Sequence, residues 1–173
     1  MFEYLLDHPE FATHVTRALR LARYRIWRDG DRLAMDDGWG TTGEFRVVHA
    51  ERGLRIMHAR GRYEPGFLPD INGEAVAVIR YEFRPDGQGH TLVAPSVAGY
   101  VRLDSGFLRT VGRIGGPFIQ RKADKEAGKL LKVFMRVSRA IVDEPAQVFQ
   151  RLSERPEVPR QELEEFRRLL RLP

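Results

Sequence analysis

The feature that most constrains this chain is a helical run near its C-terminal end. From Phe118 to Val142, the residues Ala123, Ala127, Leu130, Phe134, Val137 and Ile141 recur at alternating three- and four-residue steps. That spacing places them on one apolar stripe of a single helix. About 25 helical residues span roughly 37 Å at 1.5 Å each, enough to cross a whole sheet. A stripe of that length needs another layer to cover it.

The sequence before it supplies a sheet. After an opening helix, Phe2 to about Leu21 with an early break at Pro9, the period changes from three-and-four to two at Tyr24. Tyr24–Arg28 and Arg32–Asp36 flank the turn signal Asp29-Gly30-Asp31. Glu44–His49, Leu54–Tyr63, Glu74–Phe83 and Thr91–Leu103 follow, separated by turns at Arg52-Gly53 and Pro85–Gly89 and by a long loop from Pro65 to Gly73. Strands joined by turns with no helix between them predict an antiparallel meander. The expected fold is therefore α+β, a curved antiparallel β-sheet wrapped around a long C-terminal α-helix. Residues 1–154 are read as one domain. Residues 155–173 are read as a charged helical tail that packs outside or frays.

The chain has 173 residues with 42% hydrophobic and 31% charged content, which suits a globular protein with a real core. It has no cysteine, which removes disulfides, thiolate metal sites and a cysteine nucleophile. No stretch approaches the roughly 20 apolar residues of a membrane span. Met1–Asp7 lacks the basic start of a signal peptide, so cytoplasm is the expected location, with the periplasm as the alternative. Among His8, His14, His49, His58 and His90, no pair brackets a glutamate at helical spacing. None of Ser96, Ser105, Ser138 and Ser153 sits in a nucleophile elbow, and Gly112–Gly116 lacks the strand and Lys-Ser/Thr of a phosphate loop. No metal, cofactor or catalytic residue is expected. The formal charge of +5 is uneven: Arg102 to Arg139 holds ten Lys/Arg against three acids, which points to an anionic partner. Aromatics in that region belong to the apolar stripe and not to the basic face, so nucleic acid is disfavoured against phospholipid.

Two stretches add detail to this order of elements: the opening Leu5-Leu6-Asp7-His8-Pro9-Glu10-Phe11, and Tyr100–Asp104 leading into the C-terminal helices. With them, the order resembles the START-like, or SRPBCC, superfamily, whose helix-grip fold is also that of Bet v 1-like proteins. The resemblance covers about Phe2 to Leu152. The chain departs from it in the segment Ser105–Gly116 and in the tail. What the resemblance implies is a cavity between sheet and long helix that binds a hydrophobic small molecule, with catalysis in some branches only.

Within that frame, alternation puts Ala75, Ala77, Ile79, Tyr81 and Phe83 on one face of their strand, small residues first and aromatics last. Tyr81, Tyr100, Arg80, Tyr63 and Ile79, with Ala127, Leu130 and Phe134 from the helix, are the expected ligand contacts. Phe67 and Leu68, with Phe107, Leu108, Val111 and Ile114 from an acid-free basic-apolar segment, are the expected membrane or gate residues. The expected function is non-enzymatic binding or transport of a hydrophobic small molecule, a lipid by class, at a membrane surface. The alternatives are an aromatase/cyclase-like enzyme acting on a polyketide-like substrate, with His58 or Arg60 in an inward acid–base pair, and a protein-interaction module with a filled core.

Overall fold

The computed structural model describes residues 1–64, 70–85, 87, 91–104 and 115–172, with backbone alone at 115–120, 122, 123, 126 and 127. The expected gate residues Phe67, Leu68, Phe107, Leu108, Val111 and Ile114 lie outside the described residues, as does the side chain of Ala127. The chain forms two compact units, Met1–Ile26 with Arg121–Pro173, and Trp27–Gln120.

The first unit is helical. Pro9 separates α1 (Phe2–Asp7) from α2 (Pro9–Ala18) and occupies the first turn of α2, where its missing N–H has no helical partner to lose. The long helix α3 (Gly115–Asp143) is continuous over 29 residues, and Pro145 then opens α4 (Pro145–Ser153) in the same way. Last comes α5 (Arg160–Leu169). Both α2 and α5 end in a Schellman turn. Arg20 and Arg171 take the left-handed conformation, and Leu21 N–H and Leu172 N–H reach back to the carbonyls of Thr16 and Arg167.

These helices share one core. Leu5, Phe11 and Val15 meet Val137, Ile141, Val148, Leu152, Val158 and Phe166. Phe11 and Phe166 pack as tilted rings with 5.0 Å between centres, and Phe2 meets Phe134 edge-on at 5.0 Å. The terminal helix, expected to pack outside or fray, instead sets Phe166 fully buried, at 0% exposure, in this core. The charged surface of α5 hides a sparse apolar stripe, Leu163, Phe166 and Leu170, at three- and four-residue spacing.

The second unit is an open antiparallel meander of six strands in sequence order: β1 (Arg25–Asp29), β2 (Arg32–Asp36), β3 (Thr41–Glu51), β4 (Leu54–Tyr63), β5 (Ile71–Pro85) and β6 (Thr91–Leu103). β3 and β5 run longer than their hydrophobic patterns predict, and β3 carries a bulge at Val48. Gly30 and Gly53 take positive φ in the tight turns, where a side chain would be strained.

Candidate functional site

Residues paired across antiparallel strands share a face, so the register sorts the sheet into two surfaces. One is apolar. Its rows run Leu33–Phe45–Ala59–Ala75–Val101, Val47–Met57–Ala77–Gly99, and onward through Ile79–Val97, Tyr81–Pro95 and Phe83–Val93. The row beside Leu33–Phe45 is Met35–Gly43–Gly61–Gly73–Leu103, three glycines in register between two bulky residues. Toward the end of the sheet where β5 begins and β6 ends, this face is thus floored by glycine and alanine, bordered by Phe45 and Met57 and, farther along β5, by Ile79 and Tyr81. Val47, Phe83, Val97 and Val101 on the same face are exposed.

Two glycines of the row, Gly43 and Gly73, have a steric cause. A Cβ at Gly43 would lie 2.5 Å from the carbonyl oxygen of Arg60, and one at Gly73 would lie 2.8 Å from that of Arg102. Backbone of the neighbouring strand approaches too closely there for any side chain.

Among the described residues of β2–β6, the only charge on this face is Arg55. It is 6% exposed, and its Nη1 donates to the carbonyls of Glu51 and Leu54 and, at 3.0 Å, to the Tyr81 hydroxyl. Tyr81 is 3% exposed and crosses Phe83 edge-on at 5.8 Å. Arg55 and Tyr81 thus form a polar pair set into an otherwise apolar surface. Charge burial of this kind is tolerated because donor and acceptor satisfy each other. Sequence reasoning passed over Arg55, although alternation alone groups it with Met57, Ala59 and Tyr63.

The opposite face carries the ions. Glu44, Arg60, Glu74 and Arg102 form one register row across β3–β6, and Arg32 extends it by bonding Glu44 at 2.6 Å. Arg60 Nε meets Glu74 at 2.8 Å, and Arg102 binds the other oxygen of the same carboxylate. The result is an alternating ladder of five charges. The hydrogen bond from Arg32 holds the Glu44 carboxyl below its usual range. Partial desolvation resists ionisation of Glu74, but the bonds from Arg60 and Arg102 outweigh it and lower its pKa too. Two shallow hollows among the described residues of this unit lie over these ions. One, of about 120 Å³, is lined by Arg32, Glu44, Phe45, Arg46, His58 and Arg60, and another, of about 590 Å³, has Arg60, Arg62 and Glu74 in its lining.

This geometry divides the expected ligand contacts. Tyr81, Ile79 and Tyr63 are on the apolar face. Arg80 pairs with Leu54 and Ser96, and Tyr100 pairs with Val76, so both stand on the ionic face, Tyr100 with 68% exposure. His58 and Arg60 share that ionic face. On α3, Leu130 is 53% exposed, and Phe134 packs on Phe2 within the helical core. No family model, no curated protein and no solved structure matches the chain.

Proposed function

We propose that this chain binds a hydrophobic small molecule, a lipid by class, on the apolar face of its sheet. The observation that carries the reading is the glycine–alanine floor across β3–β6, bordered by Phe45, Met57, Ile79 and Tyr81, on a face where Arg55 is the one charge among the described residues of β2–β6. A floor of small side chains lets an acyl chain or ring system lie flat against backbone and methyl groups. Each 100 Å² of apolar surface so covered contributes about 2.5 kcal/mol, so a broad face serves better than one residue. The buried Arg55–Tyr81 pair marks where a polar end of the ligand would be oriented. The helix-grip arrangement and the START-like relationship belong to the same proposal. The cyclase-like alternative needs an acid–base pair on the ligand side, and its leading candidates, His58 and Arg60, stand on the ionic face, which favours the binding reading.

Native mass spectrometry after gentle purification tests the reading directly. A co-purified lipid mass supports it, and a clean apo mass with no uptake of added lipid removes it. The site itself is tested by Val97→Glu with Val101→Glu, which places two carboxylates on the exposed part of the face. Binding of a fluorescent apolar probe such as N-phenylnaphthylamine is expected to weaken at least about tenfold, because a desolvated charge is costly against apolar surface. The melting temperature is expected to stay within about 3 °C, since both positions are exposed. Unchanged probe binding would place the ligand elsewhere.

A further inference from the structure

The helical unit carries a surface that the sheet proposal does not use. Arg121, Lys125, Lys129, Lys132, Arg136 and Arg139 on α3 are all exposed. At 100° per residue they fall within an arc of about 80°, along about 27 Å of helix. Asp124 lies off that arc, and Arg121, Lys125, Lys132 and Arg136 have no ion-pair partner among the described residues. The acid that does enter the stripe is Asp143, at its end, and it pairs with Arg139 at 3.2 Å.

We infer that this stripe docks the protein on an anionic lipid bilayer. Charge complementarity argues for an anionic surface, and the neighbouring side chains decide which kind. Met135 and Val142, both exposed, flank the stripe on one side and can enter the interfacial region while the lysines reach the headgroups. Nucleic acid would call for exposed aromatic rings between the cations. Phe134, the described aromatic of α3, is instead engaged with Phe2. A second observation lies at the C-terminal end of the stripe. There a shallow hollow of about 480 Å³ is lined by Leu19, Leu21, Arg136, Arg139, Ala140, Asp143 and Glu144. Arg136, with no ion-pair partner among the described residues, stands there beside leucine and alanine and can take a phospholipid phosphate while they meet its chain. The stripe deepens the lipid-binding proposal by naming the surface on which the protein meets a membrane.

Co-sedimentation with vesicles tests it. Phosphatidylcholine vesicles containing about 30% phosphatidylglycerol are expected to bind the protein, pure phosphatidylcholine vesicles are not, and added salt is expected to weaken binding. The variant Lys125→Gln, Lys129→Gln, Lys132→Gln alters only exposed positions, and circular dichroism checks its fold. With about fivefold per basic residue near an anionic surface, it is expected to lose about a hundredfold in vesicle affinity. Equal binding to neutral and anionic vesicles, or an unaffected triple variant, would overturn the inference. So would a single-stranded RNA oligonucleotide that binds the stripe more tightly than vesicles do. The N-phenylnaphthylamine assay separates the two sites. The triple variant is expected to keep its probe binding, whereas loss of probe binding in the Val97/Val101 variant with vesicle binding intact would concern the sheet alone.

Discussion

At the scale of single residues, the least typical feature of the sheet is a guanidinium set among aliphatic side chains. Arg55 gives one nitrogen to two carbonyls of its own hairpin and to the Tyr81 hydroxyl, 26 residues away. Arg55→Met is expected to cost about 2–3 kcal/mol, because the buried Tyr81 hydroxyl and two part-buried carbonyls lose a charged donor. Tyr81→Phe is expected to cost about 1 kcal/mol, and the double variant less than the sum, since the two side chains share one bond. Urea denaturation of the four proteins measures the coupling; strict additivity would mean that the two do not cooperate. The faces of β4 and β5 were legible in the sequence, because a period of two leaves no choice. Adjacent residues such as Arg80 and Tyr81 must diverge, so they cannot both orient one ligand from the same side. The place of Tyr100 was not legible: its face depends on the register of β6 against β5, and residues far from Tyr100 set that register.

At the scale of elements, the row Gly43–Gly61–Gly73 shows what composition alone does not. Each glycine reads in sequence as a weak point or a turn signal, and only pairing shows that the three stand side by side. Gly43→Ala forces a methyl group against the Arg60 carbonyl of the adjacent strand, where only backbone movement gives relief. A loss of about 2–3 kcal/mol is expected by urea denaturation. Gly99→Ala in β6 is the matching control, because its added Cβ meets nothing within 4 Å. That substitution is expected to be neutral or slightly stabilising, since alanine restricts the unfolded chain more than glycine does. Equal effects at the two positions would mean that close strand approach does not explain the row. The long helix was legible almost to its ends, since 25 residues of unbroken period leave few alternatives. The fate of α5 was not, because its stripe of Leu163, Phe166 and Leu170 is sparse among charges, and burial depends on partners distant in sequence.

At the scale of the whole molecule, the helical core is assembled from both ends of the chain. Residues 1–26 supply Leu5, Phe11 and Val15, and residues beyond 121 supply Val137, Ile141, Val148 and Phe166. A protein made as residues 27–173 would leave that apolar surface uncovered. It is expected to bind anilinonaphthalene sulfonate strongly, and a synthetic peptide of residues 1–26 is expected to suppress the signal on mixing. A fragment that stays dark to the dye without the peptide would show that the N-terminal helices are dispensable to the core.

The order of the strands also sets how these molecules behave toward one another. β6 is last in the sheet and, among the described residues, pairs only with β5. Tyr81 N–H bonds the Gly53 carbonyl on the β4 side, so its partner Pro95 turns its own backbone polar groups toward the outer margin. A proline there has no proton to offer. A second chain laid along that margin would find the hydrogen-bond sequence interrupted partway along the strand, so this unpaired border resists growth into fibrils.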